Sequence, residues 1–166
     1  MRMFVIVALA VSGGCAFDWP AASRGDSLPD DDMPNGPEHR AEQPCLYCHG
    51  GPAPSAPEFV FAGTVYRKEA DEKGLAGATI TITDAAGTVV TGTSNSVGNF
   101  FAGNALDREG AIPLPDGFTF PLTVEVAFGT QSKPMRSYIA REGSCAQCHG
   151  EPSGATLVGK VFVEDP

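Results

Sequence analysis

The chain predicts a mainly β protein: a small antiparallel sandwich, flanked by two short cysteine–histidine segments and preceded by a disordered N-terminal tether. Three observations predict it. Apolar and polar residues alternate with period two through the middle of the chain. Turn signals recur between these runs, and short strands punctuated so regularly belong to an antiparallel sandwich. Outside this region the composition changes. Pro, Asp, Ser and Gly dominate residues 16–42, and a Cys-x-x-Cys-His sequence stands on each side of the alternating stretch.

Residues 1–14 begin with a short basic start, Met1-Arg2-Met3, followed by an apolar run from Phe4 to Val11 and by Ser12-Gly13-Gly14. This is the layout of a secretory signal. The run is far shorter than the ~20 residues that span a bilayer. The stretch resembles a bacterial lipoprotein signal, which implies cleavage before Cys15 and a lipid on that cysteine. The alternative is an ordinary cleaved signal that leaves a stray thiol. An odd cysteine in an exported chain calls for a special fate.

Residues 15–42 show no apolar period, and Asp30-Asp31-Asp32 lies at their centre. Such a segment buries too little surface to offset its ordering entropy, so it is expected to be a flexible tether. The triple Asp lacks the spaced ligands of a calcium loop.

The first cysteine–histidine segment covers residues 43–57. Cys45-Leu46-Tyr47-Cys48-His49 is followed by Gly50 and a Pro-rich joint, so any helix here is short. The sandwich is expected over 58–141. Ala78, Ile80 and Ile82 alternate with Thr79, Thr81 and Thr83. Phe118, Phe120, Leu122, Val124, Val126 and Phe128 alternate with polar or small residues over eleven positions. Pro121 interrupts this second run and calls for an edge or a bulge. Asp84-Ala85-Ala86-Gly87, Asn95-Ser96-Val97-Gly98 and Pro115-Asp116-Gly117 supply the turns. Residues 142–166 hold Cys145-Ala146-Gln147-Cys148-His149 and a last alternating run from Leu157 to Val163.

The two pentapeptides carry the chemistry. Cys-x-x-Cys-His is the attachment site of a c-type haem. Two thiols separated by two residues each form a thioether to a haem vinyl group, and the adjoining histidine ligates the iron. The two copies use four of the five cysteines and two of the three histidines. Cys45, Cys48, Cys145 and Cys148 are therefore the expected thioether residues of two covalently bound haem c groups, with His49 and His149 as proximal iron ligands. The likeness to c-type cytochromes implies attachment outside the cytoplasm, which agrees with a signal.

Three rivals compete for the cysteines. Four thiolates could bind one structural zinc, although one hundred residues is a long interval beside the ~15–20 usual between such pairs. A dithiol redox pair would sit in a βαβ setting. Two plain disulfides are the third.

Sixth ligands are in short supply. His39 is the one remaining histidine and could serve either iron; Met135 and Met33 are further candidates. Met/His ligation would give the higher potential. An iron without a sixth ligand could bind a small molecule. Haem spacing depends on strand parity. Of the six or seven strands expected, an even number in an up-and-down sandwich brings the two motifs together and an odd number separates them.

The sandwich region also resembles the carboxypeptidase regulatory-like domain, an Ig-like β-sandwich. The likeness rests on Ala62-Gly63-Thr64-Val65-Tyr66, Gly77-Ala78-Thr79-Ile80-Thr81-Ile82 and Ser94-Asn95-Ser96-Val97-Gly98-Asn99-Phe100. It implies a spacer or contact module and no activity. Within this domain there is no metal-binding His-x-x-Glu, no nucleophile elbow and no phosphate loop.

With a net charge of −9 and no Lys/Arg stripe, the chain is ill suited to nucleic acid. Redox partner proteins of the cell envelope are the expected partners, and the membrane is reached through the N-terminal lipid. The reading is an exported dihaem c-type cytochrome on the periplasmic side or surface of the outer membrane, an electron carrier and not an enzyme. A dihaem peroxidase-like or ligand-sensing protein with one five-coordinate iron, and a non-redox surface module with a four-cysteine structural zinc site, are the alternatives.

Overall fold

The structure, a computed structural model, describes residues 28–51, 57–104, 107–141, 143–150 and 157–164. The signal, Cys15 and the first part of the tether lie outside the described residues. Among the described residues are one short α-helix, α1 (Leu46–His49), a 3-10 turn (Cys145–Gln147) and eight strands. The strands are β1 (Phe61–Tyr66), β2 (Thr79–Thr83), β3 (Val89–Thr93), β4 (Asn99–Gly103), β5 (Ala111–Pro113), β6 (Thr123–Phe128), β7 (Gln131–Pro134) and β8 (Val161–Phe162).

They form two four-stranded sheets, ordered β5-β4-β1-β8 and β3-β2-β6-β7. The second sheet is antiparallel throughout, as the alternation predicts. The first is mixed: β1 pairs antiparallel with β4, but β4 with β5 and β1 with β8 run parallel. The expected purely antiparallel sandwich is corrected to this extent.

Alternation decides which side chains face the core. Ala78, Ile80 and Ile82 are fully buried and their threonine neighbours are half-buried. Together with Phe61, Val65, Phe100, Ala102, Ile112, Leu122, Val124 and Val126 they fill the space between the sheets. Each large apolar side chain placed there contributes about 1.5–3 kcal/mol relative to exposure.

The long run from Phe118 is a strand only from Thr123, because Pro121 has no N–H to donate to a ladder. The burial pattern nevertheless continues through Phe118 and Phe120, which pack against the core. The turns form where their residues predict. Asp84 accepts the N–H groups of Ala86 and Thr88, and Asn95 Oδ1 accepts those of Val97 and Asn99. Burial pulls the Asp84 carboxyl up, but the N–H groups of Thr88, Thr119 and Ala86 outweigh it and hold it below its ordinary value.

The tether boundary also moves. Residues 36–43 lie on the sandwich instead of hanging free, because polar side chains of the first sheet and its flanking turn capture their backbone. Asn95 Nδ2 donates to Pro37 O at 2.6 Å, and Thr64 Oγ1 accepts Glu42 N–H at 2.9 Å. No helix among the described residues is long and apolar enough to cross a membrane.

Candidate functional site

Both Cys-x-x-Cys-His sequences make a single helical turn. In the first, the Cys45 carbonyl accepts N–H from Cys48 and His49 at 3.2 and 3.0 Å; in the second, the Cys145 carbonyl accepts them from Cys148 and His149 at 3.1 and 2.7 Å. The two cysteines of each turn stand three residues apart and so share a face, with the histidine directly after. Gly50 ends the first turn. A Cβ there would lie 2.7 Å from Leu46 O, so the chain can leave only over a glycine.

Strand β1 holds both motifs. The first is tied to the start of β1: Phe59 N–H donates to His49 O at 2.7 Å, and Val60 N–H donates to Ala102 O on β4 at 2.8 Å. Cys45 and Leu46 pack on Phe59, Ala62 and Phe101. The second motif hangs from the other edge of β1. On its near flank, Ala62 N–H donates to Gly143 O at 2.9 Å and Ser144 bridges Ala62 in parallel. On its far flank, Val161 and Phe162 pair with Val65 and Tyr66. Val158 N–H donates to Cys148 O at 2.9 Å.

Successive β1 residues face opposite sides. Ala62 thus meets Cys45, while Gly63 meets Cys145. A Cβ on Gly63 would sit 2.6 Å from Cys145 Sγ and 2.7 Å from its Cβ. The two motifs are therefore neighbours. The parity argument does not apply, because the connections are not simply up and down: β4–β5 and β1–β8 are parallel pairs.

Each motif histidine is oriented through Nδ1. His49 Nδ1 donates to Pro57 O at 2.9 Å, and His149 Nδ1 donates to Gly159 O at 3.0 Å. A carbonyl oxygen only accepts, so the proton is assigned to Nδ1 and the lone pair to Nε2. That is the tautomer in which an imidazole ligates a metal through Nε2, with its other nitrogen anchored to a backbone carbonyl. His49 is buried and continues into an aromatic stack, 4.5 Å from Phe59, which lies 4.7 Å from Phe101.

The thiols divide into two kinds. Burial pushes the Cys45 thiol up to about 11, and it raises Cys145 further still, with the Cys45 charge adding to the effect. Cys148 is exposed, and its carbonyl accepts the N–H of Val158, which is also exposed. Among the described residues no group of three or more His, Cys, Asp or Glu is gathered to hold a metal ion.

His39 stands beside the first motif, its ring centre 5.8 Å from that of His49. Met135 packs against the sandwich core and Met33 is exposed. Several residues at the site carry little or no sign of their role in the sequence. For Gly63, a glycine inside an alternating run is the available sign of a close approach. Asn95 reads as a turn residue, and nothing in the sequence announces its grip, or that of Asn99, on residues 37–39. Phe59 and Phe101 carry no sequence sign of their stack on His49.

The fold and site together define a β-sandwich with two Cys-x-x-Cys-His turns seated on one strand. No family model, curated protein or solved structure matches the chain.

Proposed function

We propose that the chain is an exported c-type cytochrome that carries two haems and passes single electrons between partner proteins at the cell envelope. One observation carries this reading: both motif histidines have Nδ1 tied to a backbone carbonyl, the tautomer in which Nε2 is the ligating nitrogen of an imidazole. The donor set fits haem c. Thioether sulfurs are neutral, as burial of Cys45 and Cys145 requires, whereas zinc needs thiolates. The exposed Val158 offers apolar surface near Cys148 that a porphyrin would cover.

Cys45, Cys48, Cys145 and Cys148 would hold the two groups, and His49 and His149 would ligate their irons. When bound, haem supplies a ferrous–ferric couple whose potential the protein sets through axial ligands and burial. The chain's own part is to hold the imidazoles in one tautomer, to exclude water with the Phe59–Phe101 stack, and to keep the two sites adjacent on β1. Adjacency favours exchange of an electron between the sites before it leaves the protein. The signal and Cys15 supply export and a lipid anchor in this reading, with the outer membrane as the destination. The acidic charge suits a basic partner.

A reduced-minus-oxidised visible spectrum of the protein, produced in cells that attach haem c, tests this function. Reversible haem bands that titrate in one-electron steps are expected. A colourless chain, or bands indifferent to reductant, would rule it out.

A further inference from the structure

We propose that His39 is the sixth ligand of the iron held by His49, and that Asn95 and Asn99 position it there. This rests on the reading of Cys45–His49 as a haem attachment site. By sequence His39 could serve either iron; the fold brings it to the first. The His39 and His49 ring centres are 5.8 Å apart, with their planes at 56°. Two imidazoles bound through facing nitrogens to one metal ion, at about 2 Å each, have ring centres roughly 6 Å apart. His39 Nδ1 is engaged by the Gly36 carbonyl, which leaves the lone pair on Nε2, as in both motif histidines.

The segment that carries His39 is fastened on both sides of it. Asn95, fully buried, donates from Nδ2 to Pro37 O at 2.6 Å. Asn99, also buried, donates from Nδ2 to His39 O at 3.1 Å and to Pro37 O at 3.3 Å. Neither amide is free to turn over. Asn95 Oδ1 accepts the Val97 and Asn99 N–H groups, and Asn99 Oδ1 accepts the Thr64 hydroxyl at 2.8 Å.

Beyond His39 the backbone takes left-handed conformations at two residues other than glycine, Arg40 (φ 52°) and Glu42 (φ 72°). Specific contacts hold them. Arg40 N–H donates to the Asp31 carboxylate and Glu42 N–H to Thr64 Oγ1. The Glu42 carboxylate accepts the Tyr66 hydroxyl at 2.5 Å and pairs with Lys160 at 3.4 Å. Strained backbone that its surroundings over-determine is a mark of functional placement. Lys160 directly follows Gly159, whose carbonyl orients His149. The arm carrying His39 is thus tied to the support of the second site.

The full chain, produced with haem attached, tests the assignment. Haem is counted first; CO binding to the reduced protein and the visible spin-state bands are then compared between wild type and His39→Gly. The variant is expected to bind one more CO per chain, to gain high-spin bands, and to recover the wild-type spectrum with added imidazole. His39→Met should stay six-coordinate with one potential raised. Asn99→Ala, a change in a positioning residue, should give a partial high-spin fraction. A wild-type chain without covalent haem overturns both readings. Two haems with CO stoichiometry and spin state unchanged in His39→Gly overturn the His39 assignment alone.

Discussion

At the residue scale the four motif cysteines are not equivalent, although the sequence presents them as two identical pairs. The first cysteine of each motif faces inward, Cys45 onto Ala62 and its neighbours, Cys145 onto Gly63, while Cys148 is exposed. With the Cys45 thiol raised to about 11, only about one molecule in a thousand carries its thiolate at pH 8, and the thiolate is the nucleophile. In the haem-free protein, an alkylating reagent at pH 8 is expected to label Cys148 first, with Cys45 and Cys145 last. The Cys45 rate should climb about tenfold per pH unit until pH approaches its raised value. Mass spectrometry of timed samples reads this order, and equal rates at Cys45 and Cys148 would refute the burial difference. Spacing tells which cysteines pair and which histidine follows. It does not tell which thiol turns inward, because that depends on the strand each motif lands on.

At the element scale β1 is the strut of the site. Its six residues are all buried. One edge pairs with β4; the other is shared between Ser144 and β8. Gly63→Ala tests this arrangement. The added methyl would meet Cys145 Sγ at 2.6 Å, and the turn bearing that sulfur is tied to β1 through Gly143 and Ser144, so it cannot retreat without breaking pairing. A loss of about 1–3 kcal/mol is expected in urea unfolding, with faster alkylation of Cys145 in the haem-free chain. An unchanged midpoint and an unchanged Cys145 rate would mean the second motif does not depend on this contact. The arm at 36–43 is the counterpart before β1. Its two left-handed residues cost about 1–3 kcal/mol each, which their hydrogen bonds must offset.

Period-two alternation makes β2 and the inward faces of β6 legible, since burial follows side-chain direction even where Pro121 ends the ladder. The parallel partners of β1 and β4 are not legible. β8 is two residues long, β5 three, and their pairing is set by where the chain returns and not by local pattern. The arm is illegible for a similar reason. Its own composition is that of a linker, and what orders it is a pair of buried asparagines about sixty residues away in sequence.

At the scale of the whole molecule, two motifs one hundred residues apart in sequence become neighbours on one strand. A sandwich that merely separated them would need neither Gly63 nor the split edge of β1. Both imidazoles are oriented by carbonyls that lie on the return path to or along β1, Pro57 before it and Gly159 beside it. The fold is thus a frame that seats two Cys-x-x-Cys-His turns on one strand.

The central claim is that both turns attach haem. The intact mass of the denatured chain, produced where haem c is attached and read together with the haem absorbance of the same sample, tests it most directly. Two haems bound per chain are expected, falling to one when Cys45 and Cys48, or Cys145 and Cys148, are replaced by alanine. A chain that carries no haem, with four alkylatable thiols at the motif positions, would contradict it.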